Sequence, residues 1–162
     1  MTRVIGIGQP FAGDDDVGRE VARRLRAHGV PADEAADGAG LLALLAGARR
    51  VIVVDAAVGA GPAGTVRVLA PGELPPPERS MSSHGLSVAE ALALAQVLHR
   101  GLEVRVVAIA IAPPSGLGAG LSPEAAGAVD VAVAKVRALL QASSGQPTRP
   151  APALAVDERR PA

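Results

Sequence analysis

Arg50-Val51-Ile52-Val53-Val54-Asp55 (RVIVVD) is a continuous β-branched run that closes on an acid. Such a run, apolar at every position rather than at every second one, is the mark of a strand covered on both faces, as in a parallel sheet with helices above and below. Working outward, Val4 to Gly8 reads as a second short buried strand, and Glu103 to Ile111 as the last central one. Gly64 to Leu69 (GTVRVL) alternates and is expected nearer an edge, and a weak strand is expected around residues 31–36. Between the strands the period changes. Val17, Val21 and Leu25 recur at helical spacing, with arginines opposite that read as a solvated face. Asp14 or Asp15 is expected to cap this helix and His28-Gly29 to end it. A short helix is expected from Leu41 to Ala46. Another runs from Leu86 to His99, with Leu86, Ala89, Ala93 and Val97 as its apolar face. The last opens at Ser122-Pro123-Glu124 and runs to about Gln141. Strands alternating with helices predict a three-layer α/β/α sandwich around a mainly parallel, twisted sheet of roughly five strands.

The chain has 162 residues, suited to one domain, expected over residues 1–142. Residues 143–162 are rich in Pro and Ala without periodicity and read as a disordered tail. Phe11 is the sole aromatic residue, so the core must be built from Ala, Val, Leu and Ile. Sixteen basic and sixteen acidic residues balance, leaving no bulk field to hold nucleic acid. The absence of cysteine excludes disulfides, thiolate metal sites and a cysteine nucleophile. No apolar run reaches the roughly 20 residues of a membrane span, and the N-terminus does not read as a signal peptide. A cytoplasmic protein without membrane insertion is the expectation.

In parallel α/β sheets the ligand crevice lies beyond the carboxyl ends of the strands. Three segments place chemistry there: Gly6 to Gly18 (GIGQPFAGDDDVG), Asp55, and Ser82-Ser83-His84-Gly85 before the Leu86 helix. Asp55 would be costly at the end of a buried strand unless it faces a cleft or a partner. Asp14 to Asp16 also fit a helix start, where the macrodipole favours acids. His28 and His99 lie at helix C-termini, where a structural role is expected. Gly6-x-Gly8 invites a dinucleotide reading, but the third glycine of that fingerprint falls on Phe11, and the aspartates would repel a pyrophosphate. Carboxylates and an imidazole instead suit a cation such as nickel or zinc.

At these same segments the sequence resembles the hydrogenase maturation proteases, which trim the C-terminus of the large subunit of nickel-iron hydrogenases. GIGQPFAGDDDVG is similar to that family's strand–loop–helix signature, and VIVVDAA to its second strand-end acid. SSHGLSVAEALALA resembles its histidine before a Leu-rich helix, and GAGLSPE its last helix start. The resemblance spans residues 3 to about 141, in order. It implies a nickel-dependent endopeptidase acting on the large-subunit precursor, with Asp15, Asp55 and His84 contacting nickel carried by that precursor. Asp15 and Asp55 are implied as ligands, as general base and acid on a water, or as both. Three departures stand out: Gln9 replaces the family's Asn, a longer D-G-G-T-x-G stretch is reduced to Asp37-Gly38-Ala39-Gly40, and the near absence of aromatics with the expected disordered tail sets the chain apart. The alternative is a non-catalytic assembly factor that recognises the metal-loaded precursor.

Overall fold

The structure, a computed structural model, describes residues 1–75, 85–114, 118 and 120–144. A five-stranded sheet forms the middle layer, with order β2-β1-β3-β5-β4. Its strands are β1 (Thr2–Ile7), β2 (Asp33–Ala35), β3 (Arg50–Val58), β4 (Val66–Leu69) and β5 (Glu103–Ile111). Strand β3 pairs in parallel with β1 and β5, and β2 pairs in parallel with β1. Only β4 runs antiparallel, on the outer side of β5. The alternating GTVRVL stretch is therefore an edge strand, and the RVIVVD run is central, with Val51 to Val54 all buried.

Helices α1 (Val17–Ala27) and α4 (Pro123–Ser144) cover one face of the sheet; α2 (Gly38–Leu45) and α3 (Val88–Leu98) cover the other. Val4, Ile52, Val54 and Ile109 pack towards Val17, Val21, Leu25, Val129 and Val136. On the opposite face, Ile5, Val51, Val53 and Val106 pack towards Leu41, Leu45, Leu92 and Ala95. The residues expected to alternate at helical spacing in α1 are fully buried: Val17, Val21 and Leu25 each show 0 % exposure. With so small an aromatic content, the core relies on close approach. A Cβ on Gly6 would lie 2.1 Å from the Gly18 carbonyl oxygen, and one on Gly18 would lie 2.3 Å from those of Ile7 and Val54. Glycine at both positions lets α1 settle directly on β1 and β3.

Four expectations need correction. Neither Asp14 nor Asp15 caps α1: a 3-10 turn, Gly13–Asp16, leads into that helix, and its N-cap Asp16 makes no side-chain cap bond. The arginines of α1 are not simply solvated. Arg19 donates to Glu34 at 2.7 Å and Arg23 to Glu20 at 3.1 Å, while both reach Asp16, so the helix is tied to β2. The face of α3 is rotated from the expected one: Ala91, Leu92 and Ala95 are buried, whereas Ala93 and Val97 are exposed. Almost every residue of VAEALALAQVL is apolar, so periodicity alone could not set its phase. Finally, α4 extends to Ser144 rather than Gln141. Most of the expected disordered tail, residues 145–162, lies outside the described residues, as does His84.

Candidate active site

The parallel strands β1, β2 and β3 all point their carboxyl ends to one edge of the molecule, and the loops that leave them build a cavity there. Its volume is about 280 Å³. Ile7 and Gln9 line it from the end of β1, Ala36 to Gly38 from the end of β2, and Asp55 to Val58 from β3. Leu74 and Pro75 close one side, and Leu86 to Ala89, at the start of α3, close another. Most of this wall is apolar. Set into it are the carboxyl groups of Asp15, Asp37 and Asp55.

The three successive aspartates of the first loop have separate partners. Asp14 turns away from the cavity and accepts a 2.6 Å hydrogen bond from the backbone N–H of Ser122, just ahead of α4. Ser122 in turn accepts from Ala125 N–H at 3.2 Å, the cap expected of it. Asp16 pairs with Arg19 and Arg23 on α1. Asp15 alone of the three lines the cavity. Loss of water around it raises its pKa; the backbone N–H of Gln9 opposes the rise, and the charge of Asp16 adds to it.

Asp55 ends the apolar run of β3 with only part of its surface open to the cavity. Burial, reinforced by the negative charge of Asp15, pushes its pKa up to about 7; a hydrogen bond with the backbone of Ala56 holds it back only in part. Thus Asp55 feels the charge of a residue forty positions earlier in the chain, across one cavity. Such a pair can hold one ionised and one protonated carboxyl near neutral pH, the state needed to accept one proton and deliver another.

Asp37 was not among the expected site residues. It lines the cavity, but its carboxylate accepts from Gly40 N–H at 2.8 Å and caps α2. The Asp-Gly pair that starts a helix was the available signal. A Cβ on Gly38 would lie 2.2 Å from the Leu86 carbonyl oxygen, so the reduced Asp37–Gly40 stretch is the place where α2 and the start of α3 meet. Ser87 caps α3 by accepting from Glu90 N–H at 3.2 Å, and Glu90 accepts from Ser87 N–H at 2.8 Å. His84 precedes this cap by three positions and lies outside the described residues. Among the described residues no group of three or more His, Asp, Glu or Cys side chains is placed to hold a metal ion. His28 stays where a structural histidine would be, its Nδ1 2.7 Å from the Arg24 carbonyl oxygen at the end of α1. No helix of the described residues is long and apolar enough to cross a membrane.

The family model for HycI-type hydrogenase maturation proteases matches residues 15–139, most of the chain. No curated protein matches by sequence. Among solved structures, the chain is similar to the [NiFe] hydrogenase maturation protease HybD from Thermococcus kodakarensis, with a TM-score of 0.66 at 22% identity over 85% of this chain and 97% of that one. The hydrogenase maturating endopeptidase HybD from E. coli gives a TM-score of 0.66 at 21% identity, covering 88% and 93% of the two chains. A hydrogenase 2 maturation peptidase from a Thaumarchaeota archaeon gives 0.56 at 25% identity, covering 86% and 97%.

Proposed function

The chain belongs to the hydrogenase maturation protease family, a family of endopeptidases, and from that premise we propose that it removes a C-terminal peptide from a nickel-iron hydrogenase large-subunit precursor. The observation that carries this reading is the facing of Asp15 and Asp55 across one cavity, each with its pKa raised. Asp55, the more strongly raised, donates a proton to the amide nitrogen that leaves. Asp15, the less perturbed, takes a proton from the attacking water. The hydroxyl goes to the carbonyl carbon as the C–N bond breaks, so the water is fully consumed and both carboxyl groups are reset by proton exchange.

Nickel enters this proposal as part of the substrate. Carboxylate oxygens and an imidazole nitrogen are donors compatible with that ion. Of the three carboxylates at the cavity among the described residues, that of Asp37 is taken up by the Gly40 N–H, and the two left, Asp15 and Asp55, suit an ion that arrives already held by other ligands. Asp15, Asp55 and His84 are the residues proposed to meet it, and His84 enters from its sequence position two residues before Leu86, a residue of the cavity wall. When bound, such an ion supplies Lewis-acid polarisation and a means of recognising a loaded precursor. The apolar wall excludes water from around the reacting groups and strengthens their electrostatic coupling.

The test is incubation of the chain with nickel-loaded precursor, read by intact mass. Loss of a C-terminal peptide is expected with the native chain, and its absence with Asp55→Ala and His84→Ala. Co-purification with the precursor without shortening would replace this reading by that of an assembly factor. Full cleavage by Asp55→Ala would remove Asp55 from the chemistry.

A further inference from the structure

The chain's sole aromatic side chain is placed where two separate preferences argue against it. Phe11 is 79% exposed, in a molecule that draws its entire core from aliphatic residues. It also has φ 61°, and is the one non-glycine residue with positive φ among the described residues. Gln9, Pro10, Phe11 and Ala12 form a tight turn closed by Ala12 N–H to the Gln9 carbonyl at 3.3 Å. Pro at the second position and positive φ at the third are the pattern of a type II turn, whose third position favours Gly or Asn. A bulky side chain there is strained, and strain of this kind persists only where the surroundings hold it.

The surroundings do hold it. After the turn, Ala12 bridges Gly118, and Gly13 N–H donates to the Gly118 carbonyl at 3.1 Å. Before the turn, Gly8 N–H donates to the Ala35 carbonyl at 3.1 Å, and Gln9 both lines the cavity and bonds Asp15 through its backbone. The turn is therefore pinned on both sides and tied to one of the two facing carboxyl groups. Phe11 is carried on it into solvent, outside the cavity wall. An exposed aromatic on a rigid, strained support has the properties of a binding anchor: large apolar area, little conformational freedom to lose, and no place in the core formed by the described residues.

The geometry points to Phe11 as a specificity-determining anchor that enters an apolar socket on the folded protein substrate and so sets the position of the scissile segment relative to Asp15. The proposal rests on the peptidase reading above. Burial in such a socket satisfies the aromatic ring, and the pinned turn converts that contact into a fixed placement at the cavity.

The experiment is steady-state processing of nickel-loaded precursor by the native chain, Phe11→Asn, Phe11→Gly and Phe11→Tyr, with thermal unfolding of each. Asn and Gly suit the turn, so both variants are expected to fold with no loss of melting temperature. Their KM is expected to rise about tenfold with kcat held within about twofold, while Tyr, which keeps the ring, stays near the native KM. An unchanged KM in Phe11→Asn and Phe11→Gly, with the native chain cleaving normally, would overturn the anchor and leave the peptidase reading intact. A fall in kcat at constant KM would likewise overturn it. Failure of the native chain to cleave would overturn both.

Discussion

Along Gly13–Asp16 the backbone is a 3-10 turn, in which successive side chains project about 120° apart. This is why adjacent aspartates of identical chemistry reach α4, the cavity and the α1 arginines in turn. Substituting them one at a time separates the roles. Asp14→Ala removes the acceptor for Ser122 N–H and is expected to destabilise the fold by about 1–2 kcal/mol, with cleavage kept. Asp15→Asn relieves a desolvated charge, so stability is expected to hold or rise while cleavage of the precursor is lost. Urea unfolding beside intact-mass detection of the shortened precursor distinguishes the two. In the sequence these residues are an undivided acidic block at a helix start. Residue type alone does not say which carboxylate faces the cleft, because that depends on the turn; Asp15 is singled out there only by the family resemblance. Asp55 was legible for the opposite reason: an acid closing the run Val51 to Val54 has few alternatives to a cleft.

At the level of elements, the strands were read with more success than the helix faces. A β3 buried on both sides announces itself by an unbroken β-branched run, and the edge position of β4 by its alternation. In α1 the polar residues separate cleanly from Val17, Val21 and Leu25, so its phase was plain. In α3 they do not. Leu92 is fully buried and Val97 is 76% exposed, although both are aliphatic and five residues apart in an almost uniformly apolar helix. The phase was set by packing of α3 against α2 and by the entry of Ala91, Leu92 and Ala95 into the core shared with the sheet, with Gly38 allowing the approach at its start. Parallel substitutions check it. Leu92→Ala is expected to cost about 2–5 kcal/mol through the cavity it leaves, and Val97→Ala less than about 0.5 kcal/mol. Equal losses in chemical denaturation would mean the helix is seated on a different face.

For the whole molecule, the carboxyl groups whose pKa values shift pull stability in opposite directions over separate pH ranges. In the unfolded chain Asp55 loses its proton near 3.8, whereas in the fold it keeps the proton up to about 7. Between those values the unfolded state binds fewer protons, so stability falls as pH rises, by about 4 kcal/mol over the whole window. Asp15, also raised by burial, acts with the same sign. Glu34 behaves otherwise: burial alone would raise its pKa, but hydrogen bonds from Arg26 and Arg19 and the charge of Arg23 outweigh it and hold the group below its ordinary 4.5. Its contribution is present above 4.5 and is lost as pH falls through the folded value. Glu90, lowered by its bonds with Ser87, has the same sign. Stability should therefore peak where the two windows meet, around the ordinary carboxylate values of 3.8 to 4.5, and decline from there towards neutrality. Asp55→Asn abolishes the proton loss that drives the decline while keeping the side chain's shape. Its stability curve should match the native one near pH 4 and rise above it by a few kcal/mol at pH 7.5, with cleavage lost. Unfolding by urea from pH 4 to 8 reads this directly. Parallel curves would mean that Asp55 titrates alike in both states, and the carboxyl pair would then lose the divided protonation on which its acid–base role depends.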